Sequence, residues 1–455
     1  MRDNTLTPTK ENAASPQLAR VLGFWDVIGI IVGGVIGSGI FIVPAAIAAA
    51  VESPILILLV WVAGGLLCFF GALTFAELGA SYPQAGGLYI YLREAYGPFV
   101  GFLFGWTLFL VVDTGSIATL AVAFSSKYLP HFFAISPLAQ KLVALALIAF
   151  LAAVNYVGVR WGALLQNLLT IIKFGAILGV CIVVFLFAKG SVAHFVVPAP
   201  KPFSLDLFSK FGLALIAVLW AYKGWETTTY SSGEIKNPER NLPAGLFAGA
   251  LLVIALYLIT NLAYLYAFPA SSIATSDRIA SEVMNMAVGP AGASIIAFVI
   301  LFSITGAANQ NLLCSPRVYF AMARDGLFFK RISDIHPKFL TPHHSILAMA
   351  AWSGVLSSSA SFEDLFTYVV FGQWAFFVLA GAAVIVLRKK HPDLPRPYKT
   401  WGYPVTTCVF VLSALFVSLS ILFTQTKNSI AGLAIMALGV PAYFFWKRKQ
   451  RRPSV

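Results

Sequence analysis

Residues 24–50 read FWDVIGIIVGGVIGSGIFIVPAAIAAA, an apolar segment that is long enough to cross a bilayer and is interrupted by glycine in its middle. At membrane depth every backbone polar group must be hydrogen bonded, so an unwound span persists only where it lines a cavity or binds something. The second half of a broken helix also directs the positive end of its dipole towards that cavity, which favours an anion such as a carboxylate. The interruption at residues 33–41 therefore predicts a mid-membrane binding site like those of secondary transporters.

The glycines of this segment also allow a second interpretation. Gly29, Gly33 and Gly37 are four residues apart, a spacing that lets two helices pack closely through a stripe of small residues. Close packing does not explain why Ser38 and Gly39 follow immediately. From this segment alone, both interpretations stay open.

The composition is that of a polytopic membrane protein. The chain has 455 residues, of which 59% are hydrophobic and only 11% are charged, whereas soluble domains carry about 25% charged residues. Its four cysteines, in or near apolar segments, form neither a metal-binding spacing nor a disulfide framework. Residues 1–22 are polar and lack the apolar core and cleavage site of a signal peptide, so they predict a cytosolic N-terminal tail.

Twelve segments contain the roughly 20 mostly apolar residues that a membrane-spanning helix needs. The predicted spans are residues 24–50, 54–76, 99–125, 137–157, 164–188, 209–231, 243–267, 289–313, 343–361, 364–387, 405–424 and 429–446. Spans nine and ten are separated only by a tight turn near Phe362.

The distribution of basic residues predicts the orientation. With both termini in the cytosol, Lys and Arg in the inside segments outnumber those outside about threefold, in agreement with the positive-inside rule. The net charge of +13 therefore follows mostly from topology and does not indicate nucleic-acid binding. The basic cytosolic tail at residues 447–455 can also contact anionic membrane lipid. We expect a multi-pass protein of the plasma membrane, which in a bacterium is the inner membrane.

A second predicted span, residues 209–231, is also interrupted. Its sequence WAYKGWET, residues 220–227, places a lysine, a glycine and a glutamate midway, which is poor material for a continuous helix in lipid. The interrupted spans are the first and the sixth, so each begins a run of five spans. Because five is an odd number, the second run crosses the membrane in the opposite orientation to the first. The pattern predicts two inverted repeats, residues 23–188 and 205–388, that share one binding site. Spans eleven and twelve follow within residues 404–446.

Several ionisable side chains fall inside predicted spans, where each costs about 2.5–3.5 kcal/mol on insertion scales. Lys173, in span five, is predicted to hydrogen-bond the open carbonyl groups of a broken helix in place of a bound cation; the alternative is a lysine that snorkels to the interface. Lys223 and Glu226, three residues apart, either neutralise each other or contact a substrate. Asp113, in span three, is either a cavity contact or a structural carboxylate.

Seven sets of short motifs recur along the chain in a recognisable order. They are GSGIF at 37–41; AEL at 76–78 with YPQAGG at 82–87; VN at 154–155 with QN at 166–167, through Lys173; AY at 221–222 with GW at 224–225; NP at 237–238 with RNLP at 240–243; SPR at 315–317 with ARDG at 323–326; and Arg388 with RPYK at 396–399. From about Leu22 to Pro404 the chain thus resembles the L-type amino acid transporter branch of the amino acid–polyamine–organocation superfamily. The resemblance implies an all-α fold of twelve transmembrane helices, a five-plus-five inverted repeat with discontinuous helices 1 and 6, that alternates between inward- and outward-open states.

The resemblance also implies a substrate site at the two interruptions. The α-carboxylate would bind backbone N–H groups of the first: Gly37, Ser38 and Gly39. The α-amino group would be held by carbonyl groups from both: Val35 or Ile36, and Trp220, Ala221 and Lys223. The remaining predicted substrate contacts are Gly224 and Glu226.

Three further positions match the family, and two depart from it. Trp220 matches an aromatic gate that covers the substrate, with an ordinary core aromatic as the alternative. Lys173 matches a lysine that occupies the region where sodium-coupled relatives bind a cation, which implies transport without sodium. Asn309 aligns near cavity residues, with helix packing as the alternative. Members often carry a small residue or Asp where Lys223 stands, and a small or amide residue near Glu226, so side-chain selectivity does not carry over.

We therefore expect a secondary active transporter of neutral L-amino acids that works without sodium, by exchange (as an antiporter) or facilitated uptake. The alternative is a proton-coupled carrier of cationic amino acids or polyamines. An intramembrane enzyme is a remote alternative, because the sequence has no metal-ligand cluster, paired aspartate motif or nucleophile elbow; no cofactor and no metal are expected. Residues 129–133 lack the cysteine by which eukaryotic members bind a glycoprotein, so we predict no disulfide-linked ancillary subunit.

Overall fold

The computed structural model describes residues 17–196, 204–359, 362–424 and 426–450, and its regular secondary structure in these ranges is helical. Ten described helices are long and apolar enough to cross a membrane, or eleven segments if one bent pair counts as a single span. The chain is therefore an all-α, multi-pass membrane protein, as predicted.

The first half of the chain forms eight described α-helices. They are α1 Phe24–Val35, α2 Gly39–Val51, α3 Pro54–Ser81, α4 Leu88–Tyr96, α5 Pro98–Thr107, α6 Asp113–Val122, α7 Pro137–Val157 and α8 Val159–Phe187. Two π-helices, Leu108–Val112 and Ala123–Tyr128, flank α6, and a short 3₁₀-helix, Leu129–His131, follows. Because these pieces are continuous with α5, they form one membrane span.

The second half contains the remaining described helices. They are α9 Leu205–Ala221, α10 Pro238–Ala267, α11 Ala270–Ala274, α12 Ile279–Val288, α13 Ala291–Cys314, α14 Pro316–Arg324, α15 His343–Ser359, α16 Phe362–Lys390, α17 Val405–Thr424 and α18 Thr426–Gln450. Three 3₁₀-helices join them: Val192–Phe195, Trp225–Glu234 and Lys330–Ser333.

Eleven of the twelve predicted spans coincide with a described helix, or helix pair, that is long and apolar enough to cross a membrane. The other is span nine, where α15 has only 17 residues. The twelve-span count and the inverted repeat therefore stay predictions. The turn predicted near Phe362 falls at residues 360–361, outside the described residues. Most of the predicted N-terminal tail and the end of the basic tail, residues 1–16 and 451–455, also lie outside them.

Both predicted interruptions are present. In the first, α1 ends at Val35 and α2 begins at Gly39, with the two axes 46° apart. In the second, α9 ends at Ala221 and the chain passes through a turn into the 3₁₀-helix Trp225–Glu234. Gly224 in that turn has φ +120°, a left-handed conformation that strongly favours glycine.

The two interruptions lie against each other. A Cβ atom added at Gly224 would lie 3.0 Å from the backbone of Gly34, and one at Gly39 would lie 2.9 Å from the Cα and Cβ atoms of Ala221. Neither position therefore has room for a side chain. The fold brings the open backbone of two distant segments to one place in the membrane interior.

The three glycines spaced by four, Gly29, Gly33 and Gly37, agree with both interpretations that the sequence left open. Gly29 and Gly33 pack against α8, since an added Cβ atom would lie 2.0 Å from side-chain oxygens of Asn167 and Thr170, respectively. At Gly37 the same atom would meet only the Val35 carbonyl oxygen, at 4.0 Å. Close packing thus explains the first two glycines, whereas the third faces open space.

Candidate substrate site

A cavity of about 120 Å³ lies between the two interruptions. Pockets for drug-sized ligands usually measure roughly 300–1,000 Å³, so this one fits a small solute. Its lining comes from both interruptions, α6 and α13, and consists of Gly34, Val35, Gly37, Ser38, Gly39, Asp113, Ser116, Thr119, Leu120, Trp220, Ala221, Lys223, Gly224, Glu226, Thr227, Ala307, Gln310 and Asn311. Most predicted site residues are in this lining; Ile36, Lys173 and Asn309 are not.

The first interruption offers backbone N–H groups at the start of α2. The N–H of Gly37 already donates to the Val35 carbonyl oxygen at 2.8 Å, in a tight turn. The N–H groups of Ser38, Gly39 and Ile40 make no hydrogen bond to any described group. Unpaired N–H groups at the first turn of a helix, together with the helix dipole, form an anion site. The unpaired N–H groups therefore begin one residue further along the chain than the predicted set Gly37 to Gly39.

The carbonyl groups expected to hold an ammonium group are not equally available. The Ile36 oxygen already accepts two hydrogen bonds, from Lys173 Nζ at 2.7 Å and from Ser303 Oγ at 2.9 Å. The Val35 oxygen also accepts two, from the Gly37 N–H at 2.8 Å and from the Tyr257 hydroxyl at 2.9 Å. Of the two, only Val35 lines the cavity, so it is the better candidate on the first interruption.

Two other predicted acceptors lie at the end of α9. The Ala221 carbonyl oxygen accepts from the Tyr257 hydroxyl at 3.2 Å, and the Trp220 oxygen accepts from the Lys223 N–H at 3.2 Å. The Ala221 oxygen keeps capacity for another donor, whereas the Trp220 oxygen also accepts from the Tyr222 N–H. The Trp220 side chain is half-buried and lines the cavity, in a position that suits a gate.

Lys173 is fully buried on α8 and lies behind the first interruption, outside the cavity lining. Its ammonium group donates to the carbonyl oxygens of Gly33 and Ile36 at the open end of α1. A buried cation is stable only when it is paired or hydrogen bonded, and the Gly33 carbonyl has no other donor among the described residues, whereas Ile36 shares its oxygen with Ser303. The arrangement matches the predicted contact, and snorkelling to an interface does not occur.

Glu226 and Lys223 do not form a close ion pair. The Glu226 carboxylate is fully buried and accepts from the Gly224 N–H at 3.0 Å and from the Gln373 amide. Lys223 lines the cavity and makes no hydrogen bond or ion pair with a described residue. A pairing based on helical spacing fails here because the segment is a turn followed by a 3₁₀-helix.

Asp113 lies just after the π-helix Leu108–Val112 and contributes to the cavity lining. Its side chain is only 1% exposed, Oδ2 accepts no hydrogen bond of normal geometry from a described donor, and the Ser315 hydroxyl lies beside the carboxylate. Polar atoms this deep in a protein are almost always paired, so an unpaired carboxylate oxygen in a cavity wall is a candidate ligand contact.

Asn309 lies between helices, away from the cavity. Its amide donates to Gln166 Oε1 at 2.8 Å and to the Gly162 carbonyl at 3.1 Å, and its oxygen accepts from Asn155 at 2.9 Å. This geometry is that of the packing role, the alternative that the sequence left open.

Sequence reasoning missed two residues that hold the interruptions together. The Gln310 amide donates to the carbonyl oxygens of Ile30 at 3.0 Å and Gly224 at 2.8 Å, and Tyr257 bridges Val35 and Ala221 as described above. For Gln310 a signal exists, because residues 309–311 are three consecutive amides in an apolar span. Tyr257 is a single tyrosine in an apolar helix and gives no comparable signal.

Comparison with known proteins agrees with this fold. Residues 22–443 match the family model described as amino acid permease. The chain is 34% identical over 436 residues to the serine/threonine exchanger SteT of Bacillus subtilis, covering 95% of this chain and 98% of that protein. It is 31% identical to the human b(0,+)-type amino acid transporter 1, over 99% of this chain and 94% of that protein. It is 32% identical to the mouse large neutral amino acids transporter small subunit 2, over 95% of this chain and 83% of that protein.

These matches cover nearly the whole chain and define an amino acid transporter of the membrane, not an enzyme. The chain belongs to the amino acid permease family, as an L-type amino acid transporter-like member of the amino acid–polyamine–organocation superfamily.

Proposed function

We propose that the protein exchanges small neutral L-amino acids across the plasma membrane, by alternating access and without sodium. The observation that carries this proposal is the cavity between two facing interruptions, with open N–H groups on one side and carbonyl groups on the other. A relative named as a serine/threonine exchanger and another named for large neutral amino acids support the substrate class. The small cavity favours the smaller of these substrates.

In the proposed complex, the backbone holds the invariant part of every amino acid. The α-carboxylate accepts from the N–H groups at the start of α2, where charge-assisted hydrogen bonds and the helix dipole act together. The α-ammonium group donates to the carbonyl oxygens of Val35, Trp220 and Ala221, and Trp220 closes over the bound substrate. Because these contacts do not involve the substrate side chain, selectivity for particular amino acids has to come from other cavity residues.

Lys173 takes the place of a coupling cation in this proposal. A sodium ion in a transporter is held by oxygen ligands, and its charge offsets the negative ends of broken helices. Here the ammonium group already satisfies the carbonyl oxygens of Gly33 and Ile36. We therefore infer transport that is independent of sodium. The same lysine links the middle of α8 to the open end of α1, which gives it a role in the movement between states.

The proposed orientation has both termini in the cytosol and twelve spans in two inverted repeats. A larger cavity of about 840 Å³, lined by residues such as Phe41, Asp277 and Glu282, then lies on the outer side. On the other side, Glu234 forms a buried ion pair with Arg317 at 2.5 Å, and its carbonyl oxygen accepts from the N–H of Leu22 at 2.9 Å. These contacts close the cytosolic side, so we assign an outward-facing state.

The partner and substrate alternatives are weaker. The cavity of about 120 Å³ leaves little room for the long side chains of cationic amino acids or for polyamines, which disfavours a carrier of those substrates. The loop that follows Tyr128 carries no cysteine, so we propose a transporter without a disulfide-linked subunit.

Counterflow in proteoliposomes tests the proposed function. Vesicles containing the purified protein are preloaded with unlabelled threonine, or left empty, and uptake of radiolabelled threonine is measured with sodium replaced by choline. We expect preloading to accelerate uptake several-fold in choline buffer, and by the same factor when sodium is restored. A requirement for sodium, or for an imposed pH gradient, would contradict the proposed coupling, and the absence of amino acid uptake would contradict the function.

A further inference from the structure

The C-terminal end of α18 packs against the turn that follows α14. The Gln450 side-chain amide donates to the Asp325 carbonyl oxygen, and a Cβ atom added at Gly326 would lie 2.8 Å from Gln450 Nε2. The rings of Phe329 and Trp446 meet edge to face, with their centroids 4.8 Å apart. These contacts bring two segments that are distant in sequence, residues 329–331 and 446–450, together at the end of the last span.

The two segments carry five basic side chains. They are Lys330, Arg331, Lys447, Arg448 and Lys449. Four of the five are exposed, and Lys447 is partly buried against the protein. Two of them also contact aromatic rings, since the Lys447 ammonium lies 5.5 Å from the centroid of Tyr443 and the Lys449 ammonium lies 5.4 Å from that of Trp446. The convergence of the segments therefore concentrates positive charge at one point of the surface.

The acidic residues that flank the first segment do not balance this charge. Asp325 Oδ2 accepts from the Tyr89 hydroxyl at 2.6 Å and from the Arg93 guanidinium at 2.5 Å. The Asp334 carboxylate lies 3.6 Å from the His344 imidazole. Among the described residues, none of the five basic side chains forms an ion pair. Their hydrogen-bond donors are therefore available to an anion from outside the chain.

Aromatic side chains beside the basic residues mark the depth of this surface in the membrane. Phe329, Phe444 and Phe445 are each more than half exposed. The helix α18 is apolar up to Trp446 and basic from Lys447 onwards, so its last turn lies where the hydrocarbon meets the lipid headgroups. Exposed rings next to basic side chains at this depth suit a lipid, whose acyl chains and headgroup need both kinds of contact.

We propose that residues 329–331 and 446–450 form one binding site for the headgroup of an anionic phospholipid such as phosphatidylglycerol. The lipid phosphate lies between the two segments and accepts charge-assisted hydrogen bonds from the basic side chains of both. The acyl chains lie along the exposed rings of Phe329 and Phe445. A zwitterionic headgroup such as that of phosphatidylcholine carries a cation, which the same side chains repel. Because the bound lipid links the last helix to the turn after α14, it stabilises the folded protein.

Lipid-dependent thermal stability tests this site without any transport substrate. The purified protein, in an uncharged detergent, is titrated with dioleoylphosphatidylglycerol or dioleoylphosphatidylcholine while the midpoint of thermal unfolding is measured. We expect the anionic lipid to raise the midpoint at a concentration at least about tenfold lower than the zwitterionic lipid. Equal effects of the two lipids would overturn the proposal. An equal effect of glycerol 3-phosphate would also overturn it, because a free phosphate would then suffice.

Paired variants test whether the two segments share the lipid. Lys330→Gln with Arg331→Gln, and separately Lys447→Gln with Lys449→Gln, should each reduce the preference for the anionic lipid by about tenfold. Lys141→Gln with Lys189→Gln is the matched control, since these exposed lysines lie near the start of α7 and beyond the end of α8, at the opposite ends of the spans. A wild-type preference in either paired variant would overturn the shared site. An equal loss in the control would show an effect of net charge and would overturn it as well.

Discussion

The ammonium group of Lys173 donates a 2.7 Å hydrogen bond to the carbonyl oxygen of Ile36, across the contact between α8 and the open end of α1. It also donates to Gly33 in the same turn, so one buried cation satisfies two carbonyl groups that the broken helix leaves open. A single lysine thus stabilises the interruption on which the candidate site depends.

Replacing Lys173 with alanine should abolish exchange. The Gly33 carbonyl would lose its donor, at a cost of about 1–3 kcal/mol, and the Ile36 carbonyl would keep only Ser303, so the first interruption should lose its shape. The measurement is threonine counterflow, with Lys189→Ala as the control, because Lys189 is exposed just beyond the end of α8. Wild-type rates in the Lys173→Ala protein would refute the role assigned to Lys173.

Replacing Ser38 with proline should weaken amino acid binding by about 10- to 100-fold, because it removes one charge-assisted hydrogen bond worth about 1.5–3 kcal/mol. The φ angle of Ser38 is −76°, which proline can adopt. Ser38→Ala is the control, since it keeps the N–H and the serine hydroxyl makes no capping hydrogen bond. Affinity is measured by thermal stabilisation with increasing threonine. Equal affinities for the two variants would place the carboxylate elsewhere.

Replacing Gly224 with alanine should destabilise the protein. The left-handed φ of +120° costs about 1–3 kcal/mol for a residue with a side chain, and the new Cβ atom would crowd Gly34 at 3.0 Å. Gly175→Ala serves as the control, because nothing lies within 4 Å of its added Cβ atom. The midpoint of thermal unfolding in detergent should fall for the first variant and not for the second. A Gly224→Ala protein as stable as the wild type would show that the interruptions do not pack as described.

Replacing Asn309 with leucine should lower stability without changing substrate preference. The change leaves the Gln166 side-chain oxygen without a donor and removes one of the two acceptors of the Asn155 amide, at a cost of about 1–3 kcal/mol. The ratio of the affinities for threonine and valine, measured by competition with labelled threonine, should stay at its wild-type value, because Asn309 does not line the cavity. A changed ratio would return Asn309 to the substrate site.

Local sequence features predict the interruptions well. Glycine, serine and charged residues in the middle of an apolar span are costly in a continuous helix, so their positions at residues 33–41 and 220–227 mark where helices break. The contact of Lys173 with a broken helix follows from the same reasoning, since a buried cation needs acceptors.

Contacts between spans were harder to predict, because they depend on how each helix is rotated. The helix α13 is apolar on most sides, so its sequence does not say that Gln310 reaches Gly224 while Asn309 points away from the cavity. The π-helix before Asp113 shifts the register of that span, and the turn at Gly224 removes the helical spacing that would pair Lys223 with Glu226. These departures from regular helix lie at the candidate site.

Binding of threonine derivatives tests most directly whether the two interruptions hold both ends of an amino acid. Affinities of the purified protein for L-threonine, L-threoninamide and N-acetyl-L-threonine are compared by ligand-induced thermal stabilisation in sodium-free buffer. The first derivative lacks the carboxylate that would accept from Ser38 and Gly39, and the second lacks the ammonium that would donate to Val35 and Ala221. We predict that threonine binds and that each derivative binds at least about 10-fold more weakly. Affinities for both derivatives equal to that for threonine would contradict the proposed site.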